Sequence, residues 1–447
     1  MKPSLFGTDG IRGPVGGSLI NPESMLKLGW ALGSLLYETQ PAQRVLIGKD
    51  TRISGYMLES ALQAGLTAAG MNIGLLGPMP TPAVAYLTQT LRAAAGIVIS
   101  ASHNPFEDNG IKIFNAQGSK LDDDFEHAVS NRYYDPMEVV TSDSIGRARH
   151  FLNAPARYIE RCKSRFNGPP QALSNLHIVL DCAEGATYLI APCVFEELGA
   201  TVTVRHATPD GFNINQHCGA LYPQQLAQTV LSEQADCGIA FDGDGDRVIM
   251  VDHTGQVCDG DYLLYVIAQH LHRQGSLTGG IVGTHMSNGA LEYAFERMNI
   301  PFERVDVGDR HVMAKLKENG WHLGAEPSGH LIDLNQTLSG DGIIAALQVL
   351  SAMVTQQSSL HALVSTLHKL PQALINLKRS PDHVWPPSEQ LDAIKAQALQ
   401  QLGDQGRILI RPSGTEPLVR VFVEGTDPVM VEHVAQQLSN ELQTLLG

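Results

Sequence analysis

Asp242-Gly243-Asp244-Gly245-Asp246-Arg247 sets three carboxylates at alternate positions with glycines between them. Such a loop can turn its side chains to one point, and hard oxygen ligands of this kind suit Mg²⁺. Without a cation the arrangement is costly. At about 4 Å and an effective dielectric near 20, each like-charged pair repels by roughly 4 kcal/mol. A clustered, ionised triad therefore implies a metal, or else raised pKa values. An EF-hand would need glycine at the sixth position and glutamate at the twelfth, where this chain has Arg247 and His253. An acidic surface turn is the plain alternative.

Four further loops carry polar side chains in compact clusters. In Gly96–Lys112 the apolar run Ile97-Val98-Ile99 breaks at Ser100-Ala101-Ser102-His103-Asn104-Pro105, lifting a serine out of a strand. Asp108-Asn109-Gly110 adds a second turn signal before Lys112. In Gly324–His330, Glu326 and Ser328 can hydrogen-bond vicinal hydroxyls, and His330 can donate or carry a proton. Arg411-Pro412-Ser413-Gly414-Thr415-Glu416, with Arg420 beyond, offers hydroxyls, backbone N–H groups and guanidiniums that can cradle a phosphate. It is not a Walker A loop. Gly7-Thr8-Asp9-Gly10-Ile11-Arg12-Gly13 supplies one arginine able to reach an anion. Taken singly, each of these loops is also compatible with an ordinary turn.

The elements that must position these loops follow from hydrophobic period. Asn21-Pro22 starts a helix over Glu23–Glu38. Val45–Ile47, Gly55–Ala69, Ile73–Leu76 and Thr81–Leu91 then alternate as strand, helix, strand and helix. A second round runs through a helix near Arg157–Phe166, Ile178–Leu180, a helix near Ala186–Leu198, Val202–Val204, a helix near Pro223–Glu233, Gly238–Phe241 and Val248–Val251. A third extends from a helix at Asp261 to one over Gly340–Met353. Alternation in units of roughly thirty residues means βαβ crossovers and a mostly parallel sheet. The tail differs, with strands Ala373–Leu377, Arg407–Ile410 and Val419–Val423 and helices near Ser388–Gln401 and Val429–Leu445, a smaller α+β domain. The expected fold class is α/β: three similar α/β domains with mixed, mostly parallel sheets and a smaller C-terminal α+β domain.

Chain-wide properties narrow the function. A chain of 447 residues suggests two to four domains. A net charge of −15 argues against general nucleic-acid binding. MKPSLFGTDGIRG lacks the apolar core of a signal peptide, and no run of about 18 apolar residues suggests a membrane helix. The six cysteines form no C-x-x-C pair, which favours reduced thiols in a cytoplasmic protein.

Taken in order, GTDGIRG, SASHNP with NGIK, DGDGDR, the E-x-SGH loop and R-x-SGTEP resemble the α-D-phosphohexomutase superfamily over the whole chain, most closely its bacterial phosphoglucosamine mutase branch. The resemblance implies four domains around a central cleft, each supplying one loop. They are expected at 1–154 (phosphoserine loop), 155–254 (metal loop), 255–368 (sugar-binding loop) and 369–447 (phosphate-binding loop). Ser102 takes the position of the serine that carries the transferred phosphoryl group. Asp242, Asp244 and Asp246 match the ligands of one Mg²⁺ per subunit, which the serine phosphate completes. Glu326 and Ser328 match sugar contacts. Arg411, Ser413, Gly414, Thr415 and Arg420 match the site for the phosphate that is not reacting. Arg12, Lys112, Arg247 and His330 match basic residues near the transfer centre. Pro327 and Glu184 depart from the pattern, which more often has Gln or Asn at the first and Asn at the second.

The implied activity interconverts glucosamine 6-phosphate and glucosamine 1-phosphate through a phosphoserine enzyme and a 1,6-bisphosphate, feeding UDP-N-acetylglucosamine and cell-wall precursor synthesis. Ser102 would be charged by a sugar 1,6-bisphosphate. The expected partner is a hexosamine phosphate, with no nucleic acid and no membrane, and a homodimer left open. Phosphoglucomutase or phosphomannomutase activity is the nearest alternative. A Mg²⁺-dependent sugar-phosphate phosphatase is remoter, because Asp246 fills the last place of D-x-D-x-[TV]. A Ser-His hydrolase lacks its G-x-S-x-G elbow around Ser102.

Overall fold

A computed structural model of the protein describes residues 4–7, 9–40, 43–169, 171–378, 385, 387–403, 405–412 and 418–446. Residues 1–284 with 305–365 form one compact unit, and residues 285–304 with 366–447 form a second.

The first sheet of the larger unit runs, in spatial order, Ile11–Pro14, Asp108–Asn115, Ala95–Ile99, Arg44–Lys49, Asn72–Pro78 and Ala148–His150. The last four are parallel to one another, whereas Asp108–Asn115 is antiparallel to both strands beside it. Arg44–Lys49 has its sequence successor on one side and Ala95–Ile99 on the other, so the crossovers diverge there. Such a switch point opens a crevice at the carboxyl ends of the strands. Asp50 and Ser100–Ser102 follow those ends directly.

The second sheet repeats the device. Its order is Val257–Cys258, Val248–Asp252, Cys237–Phe241, His177–Asp181 and Thr201–Arg205, and His177–Asp181 is the strand flanked by diverging crossovers. Cys237–Phe241 is parallel to it, and Val248–Asp252 turns back antiparallel. In the third domain Leu323–Ala325 lies parallel to Ile281–Thr284 and antiparallel to Leu331–Asp333. Each polar loop of this unit after the first thus joins a parallel strand to its antiparallel neighbour. The smaller unit has one antiparallel sheet, ordered Gln372–Lys378, Leu418–Glu424 and Arg407–Pro412, covered by helices Ser388–Leu402 and Pro428–Leu446.

The expected alternation of strands and helices matches the structure in its main elements. The short strands Ile11–Pro14, Ala148–His150, Val257–Cys258, Leu323–Ala325 and Leu331–Asp333 and helix Leu360–Val364 had no sequence expectation, and three further differences stand out. Asp108–Asn115 is a strand where a turn was expected at Asp108-Asn109-Gly110. Pairing on both sides overrides the local turn preference, and buried Asn109 donates to the Ser54 hydroxyl at 2.8 Å. The helix expected near Ala186–Leu198 begins only at Ile190, after a run of turns over 183–189 in which Ala183 and Glu184 adopt left-handed φ values of 55° and 51°. Helix Asp123–Tyr133 has no sequence expectation; it is mostly polar, with only Val129 and Ser130 buried and Phe125 and Tyr133 packed partly against the core. All six cysteines are free. No helix among the described residues is long and apolar enough to cross a membrane.

Helix Pro22–Thr39 starts where Asn21 accepts the Ser24 N–H at 2.9 Å, and it packs on helix Ser54–Ala68. Their crossing depends on Gly65, where a Cβ would lie 2.1 Å from the Leu26 carbonyl oxygen and 2.6 Å from the Trp30 nitrogen. Helix propensity alone would make Gly65→Ala stabilising by about 1 kcal/mol. Overpacking against backbone dominates, and the substitution is expected to destabilise the larger unit by about 2 kcal/mol. A fall in its first thermal unfolding transition checks this, and an unchanged or raised midpoint would contradict it.

Candidate active site

Strand Ala95–Ile99 ends in a loop held from behind by charges that lie outside the serine motif. The Ser102 N–H donates to the Ser100 hydroxyl at 2.8 Å, and that hydroxyl donates to Asp50 at 2.7 Å. Arg52, wholly buried, donates to Asp50 through Nε at 2.8 Å. Its Nη2 reaches the carbonyls of Ser102 at 3.0 Å and Asn104 at 2.8 Å, and its Nη1 reaches those of Asp108 at 3.1 Å and Pro105. Asn215, from the second domain, adds a donor to the Ser102 carbonyl at 2.9 Å. These bonds fix Ser102 at φ 52°, a left-handed conformation that costs a non-glycine residue on the order of 1–3 kcal/mol.

The acidic loop spans the turn between Phe241 and Val248, which are opposed across the antiparallel pair. Asp242 accepts the Ser102 hydroxyl at 2.7 Å and the Arg247 N–H at 3.1 Å. Asp244 accepts the Thr81 hydroxyl at 2.6 Å, and its own carbonyl takes the Thr81 N–H at 2.8 Å. Close approach requires glycine at 243, where a Cβ would sit 2.6 Å from the Ser102 carbonyl oxygen and 2.8 Å from the Asn215 amide nitrogen. All three aspartates are buried, with one ligand oxygen apiece lying within 4.8 Å of the others.

The charge of this cluster is balanced unevenly. Burial pushes the Asp242 carboxyl well above the usual range, and Asp246 and Asp244 push it further. Burial acts on Asp246 in the same sense, but Lys112 and His330 overcome it and hold that carboxyl well below the usual range. Lys112 bridges Asp244 and Asp246 at 2.9 Å to each. Burial would lower its pKa, yet Asp244, Asp246 and Asp9 raise it well above the ordinary lysine value. From Lys112 the pairing continues to Asp9 at 3.8 Å, to Lys120 at 2.6 Å, to Asp309 at 2.7 Å, to His330 at 3.7 Å and back to Asp246 at 3.6 Å. The result is a closed ring of alternating charge. Burial opposes the imidazolium of His330, but Asp246 and Asp309 raise its pKa to about 9. Arg12 pairs with Asp9 beside this ring, and Arg247 Nε lies 4.0 Å from Asp246.

A hard dication fits these residues. Oδ1 of Asp244 and Oδ1 of Asp246 are buried and have no hydrogen-bond partner. Three carboxylates converge, and the Ser102 hydroxyl lies on the same cluster.

The third loop closes on itself where Glu326 N–H donates to the His330 carbonyl at 3.1 Å. Glu326 is buried and accepts the Gly308 N–H at 2.9 Å, whereas Ser328 is exposed. Pro327 uses only its carbonyl, which accepts the Gly260 N–H at 3.1 Å, so the missing proline N–H leaves that contact intact. Glu184 sits at a left-handed position that Asn tolerates better, and its carboxylate accepts the Thr208 N–H at 2.6 Å. In the smaller unit, Arg411 and Arg420 stand directly opposite each other across the antiparallel pair and so share a face. Ser413, Gly414 and Thr415 lie outside the described residues.

The structure thus gathers Ser102, Lys112, Asp242, Asp244, Asp246, Arg247 and His330 into one cluster, with Arg12 beside it. Sequence reasoning missed Asp50, Arg52, Asn215, Asp9, Lys120 and Asp309. Asp50-Thr51-Arg52 directly after an apolar strand was the one local signal available for the first pair.

Comparison with known proteins identifies the family. Residues 3–138, 156–255 and 259–370 match the phosphoglucomutase/phosphomannomutase alpha/beta/alpha domains I, II and III, and residues 374–441 match the C-terminal domain of the same family. The chain belongs to the phosphoglucomutase/phosphomannomutase family, the α-D-phosphohexomutases, whose members are Mg²⁺-dependent enzymes. Phosphoglucosamine mutase of Photorhabdus laumondii is 55% identical over 98% of this chain and 98% of its own length. That of Legionella pneumophila strain Lens is 53% identical over 98% and 96%. Among solved structures, a phosphoglucomutase/phosphomannomutase family protein from Burkholderia thailandensis shares the fold with a TM-score of 0.82 at 24% identity, covering 100% of this chain and 98% of the other.

Replacing Arg52 by Ala leaves the Asp50 carboxylate buried without its partner, a change that costs about 3–5 kcal/mol. The first thermal transition of Arg52→Ala should fall well below that of the parent, and restoration by Asp50→Asn in the double variant should be partial, because the four carbonyl contacts stay lost. A single variant as stable as the parent would refute the role given to Arg52.

Proposed function

We infer that the chain is a phosphoglucosamine mutase, interconverting glucosamine 6-phosphate and glucosamine 1-phosphate through phospho-Ser102. The reading is supported above all by the Ser102 hydroxyl lying 2.7 Å from a buried triad of aspartates. The full-length relatives named for that activity support the choice of sugar.

Asp242, Asp244 and Asp246 would hold Mg²⁺, which when bound neutralises phosphoryl oxygens as charge shifts between donor and acceptor. In the forward direction the bond from phosphorus to Ser102 Oγ breaks and a bond from phosphorus to the free sugar hydroxyl forms, giving a hexosamine 1,6-bisphosphate. The proton released by the sugar hydroxyl as that bond forms is matched by the one Ser102 Oγ takes up, so the transfer consumes no net proton. The bisphosphate then turns end for end and returns its other phosphoryl group to Ser102. Lys112 and His330 are cationic in the resting site, so both serve as donors and as counter-charge to phosphoryl oxygens. Glu326 and Ser328 would meet sugar hydroxyls. Arg411 and Arg420, side by side, would hold the phosphate that is not reacting, together with Ser413, Gly414 and Thr415.

Ser102→Ala is expected to abolish the interconversion, and intact-mass analysis of the parent should find one phosphoryl group that this variant lacks. Full activity in Ser102→Ala would overturn the reading. Chelation of Mg²⁺ should stop turnover reversibly. For the choice of sugar, kcat/KM should be highest for glucosamine 6-phosphate, and a higher value for glucose or mannose 6-phosphate would reassign the substrate while leaving the chemistry in place.

A further inference from the structure

The first sheet carries a second polar feature at its opposite edge. Strand Arg44–Lys49 delivers Asp50 to the active site at its carboxyl end, and Arg44 lies roughly 20 Å away at its amino end, at about 3.3 Å per residue. There a cavity of about 730 Å³ is lined by Arg44, Arg147, Arg149, His150, Asn72 and Phe151.

Although the chain carries a net charge of −15, no Asp or Glu lines this cavity. Among the described residues, none of the three arginines forms an ion pair with a carboxylate. Their positions are fixed by the sheet. Arg44 stands opposite Asn72 in one parallel pair, and Arg149 opposite Gly74 in the next. Asn72 Oδ1 accepts the Arg147 N–H at 3.0 Å, and the Arg147 carbonyl accepts the Ile73 N–H at 2.9 Å. Arg44 is stacked over the Phe151 ring at 5.3 Å, an arrangement that leaves the in-plane N–H donors of the guanidinium available.

Guanidiniums gathered without a counter-charge repel one another, and an anion turns that cost into attraction. Three arginines and a histidine present more donors than a single phosphoryl group can accept. The cavity lies within the roughly 300–1,000 Å³ range of small-ligand sites, and the acidic chain disfavours a nucleic acid. We propose that the cavity lined by Arg44, Arg147, Arg149 and His150 binds a small anion with two or more linked phosphoryl groups, separately from the reaction centre.

Isothermal titration of the full chain, without added Mg²⁺, with inorganic pyrophosphate, ADP and adenosine tests this. Pyrophosphate and ADP should bind and adenosine should not. Tighter binding of ADP than of pyrophosphate would place the nucleoside against Phe151 and the exposed Leu152, and equal affinities would mean recognition of the phosphates alone; both support the site. The double variant Arg147→Ala/Arg149→Ala should weaken both anions by about tenfold or more and leave mutase kcat/KM unchanged, whereas Arg411→Ala should leave their affinity unchanged. Absence of binding by the parent, or affinity unaffected by the double variant, overturns the proposal. So does loss of binding in Arg411→Ala alone, which would assign the anion to the phosphate loop of the reaction.

Discussion

Three carboxylates cannot be buried together unless something answers their mutual repulsion, and most of the larger unit is arranged around that requirement. Lys112 answers it most directly, bridging Asp244 and Asp246. A lysine so deeply buried needs anions in turn, and Asp9 extends the balance outward through Lys120, Asp309 and His330 until the ring closes. The first domain contributes Asp9, Lys112 and Lys120, the second Asp246, and the third Asp309 and His330. Removing any one member would leave its neighbours as unbalanced charges in a low-dielectric setting, where the penalty exceeds the value of the pair itself. The electrostatics of this buried cluster and the mutual placement of these three domains are therefore one problem with one solution.

Topology provides the places where such charges can meet. The Asp242–Arg247 loop and the Glu326–His330 loop each join a parallel strand to an antiparallel neighbour, as the Ser102 loop does between Ala95–Ile99 and Asp108–Asn115. A crossover helix would carry the chain away over one face of the sheet. A direct return keeps the loop at the carboxyl edge, where switch points open a crevice. Positive φ at Ser102 and Gly245 lets the loops turn sharply enough to aim side chains across that crevice.

How much of this was legible in the sequence depended on range. Asp242, Asp244 and Asp246 declare themselves because their spacing is local, and the strand before Ser102 because its apolar run is. Asp108–Asn115 was not legible as a strand, since Asp-Asn-Gly is a turn signal and only partners distant in sequence make it a strand. Arg52 and Asn215 look like ordinary polar residues until the chain brings them to one carbonyl oxygen from either side. Asp9, Lys120 and Asp309 are far apart in sequence, and nothing in their own neighbourhoods distinguishes them from solvated surface charges. Glu184 shows the converse, since its departure from Asn is visible in the sequence while the left-handed backbone that makes Asn the easier choice is not.

The left-handed backbone at Ser102 also limits which hydroxyl amino acid can serve there. Threonine would offer the same oxygen, and its phosphate ester would carry the same charge. Its branched Cβ, however, crowds the backbone at positive φ far more than serine does, so the conformation that aims the oxygen at Asp242 is one that threonine resists. Stereochemistry, rather than reactivity, thus favours serine over threonine at position 102.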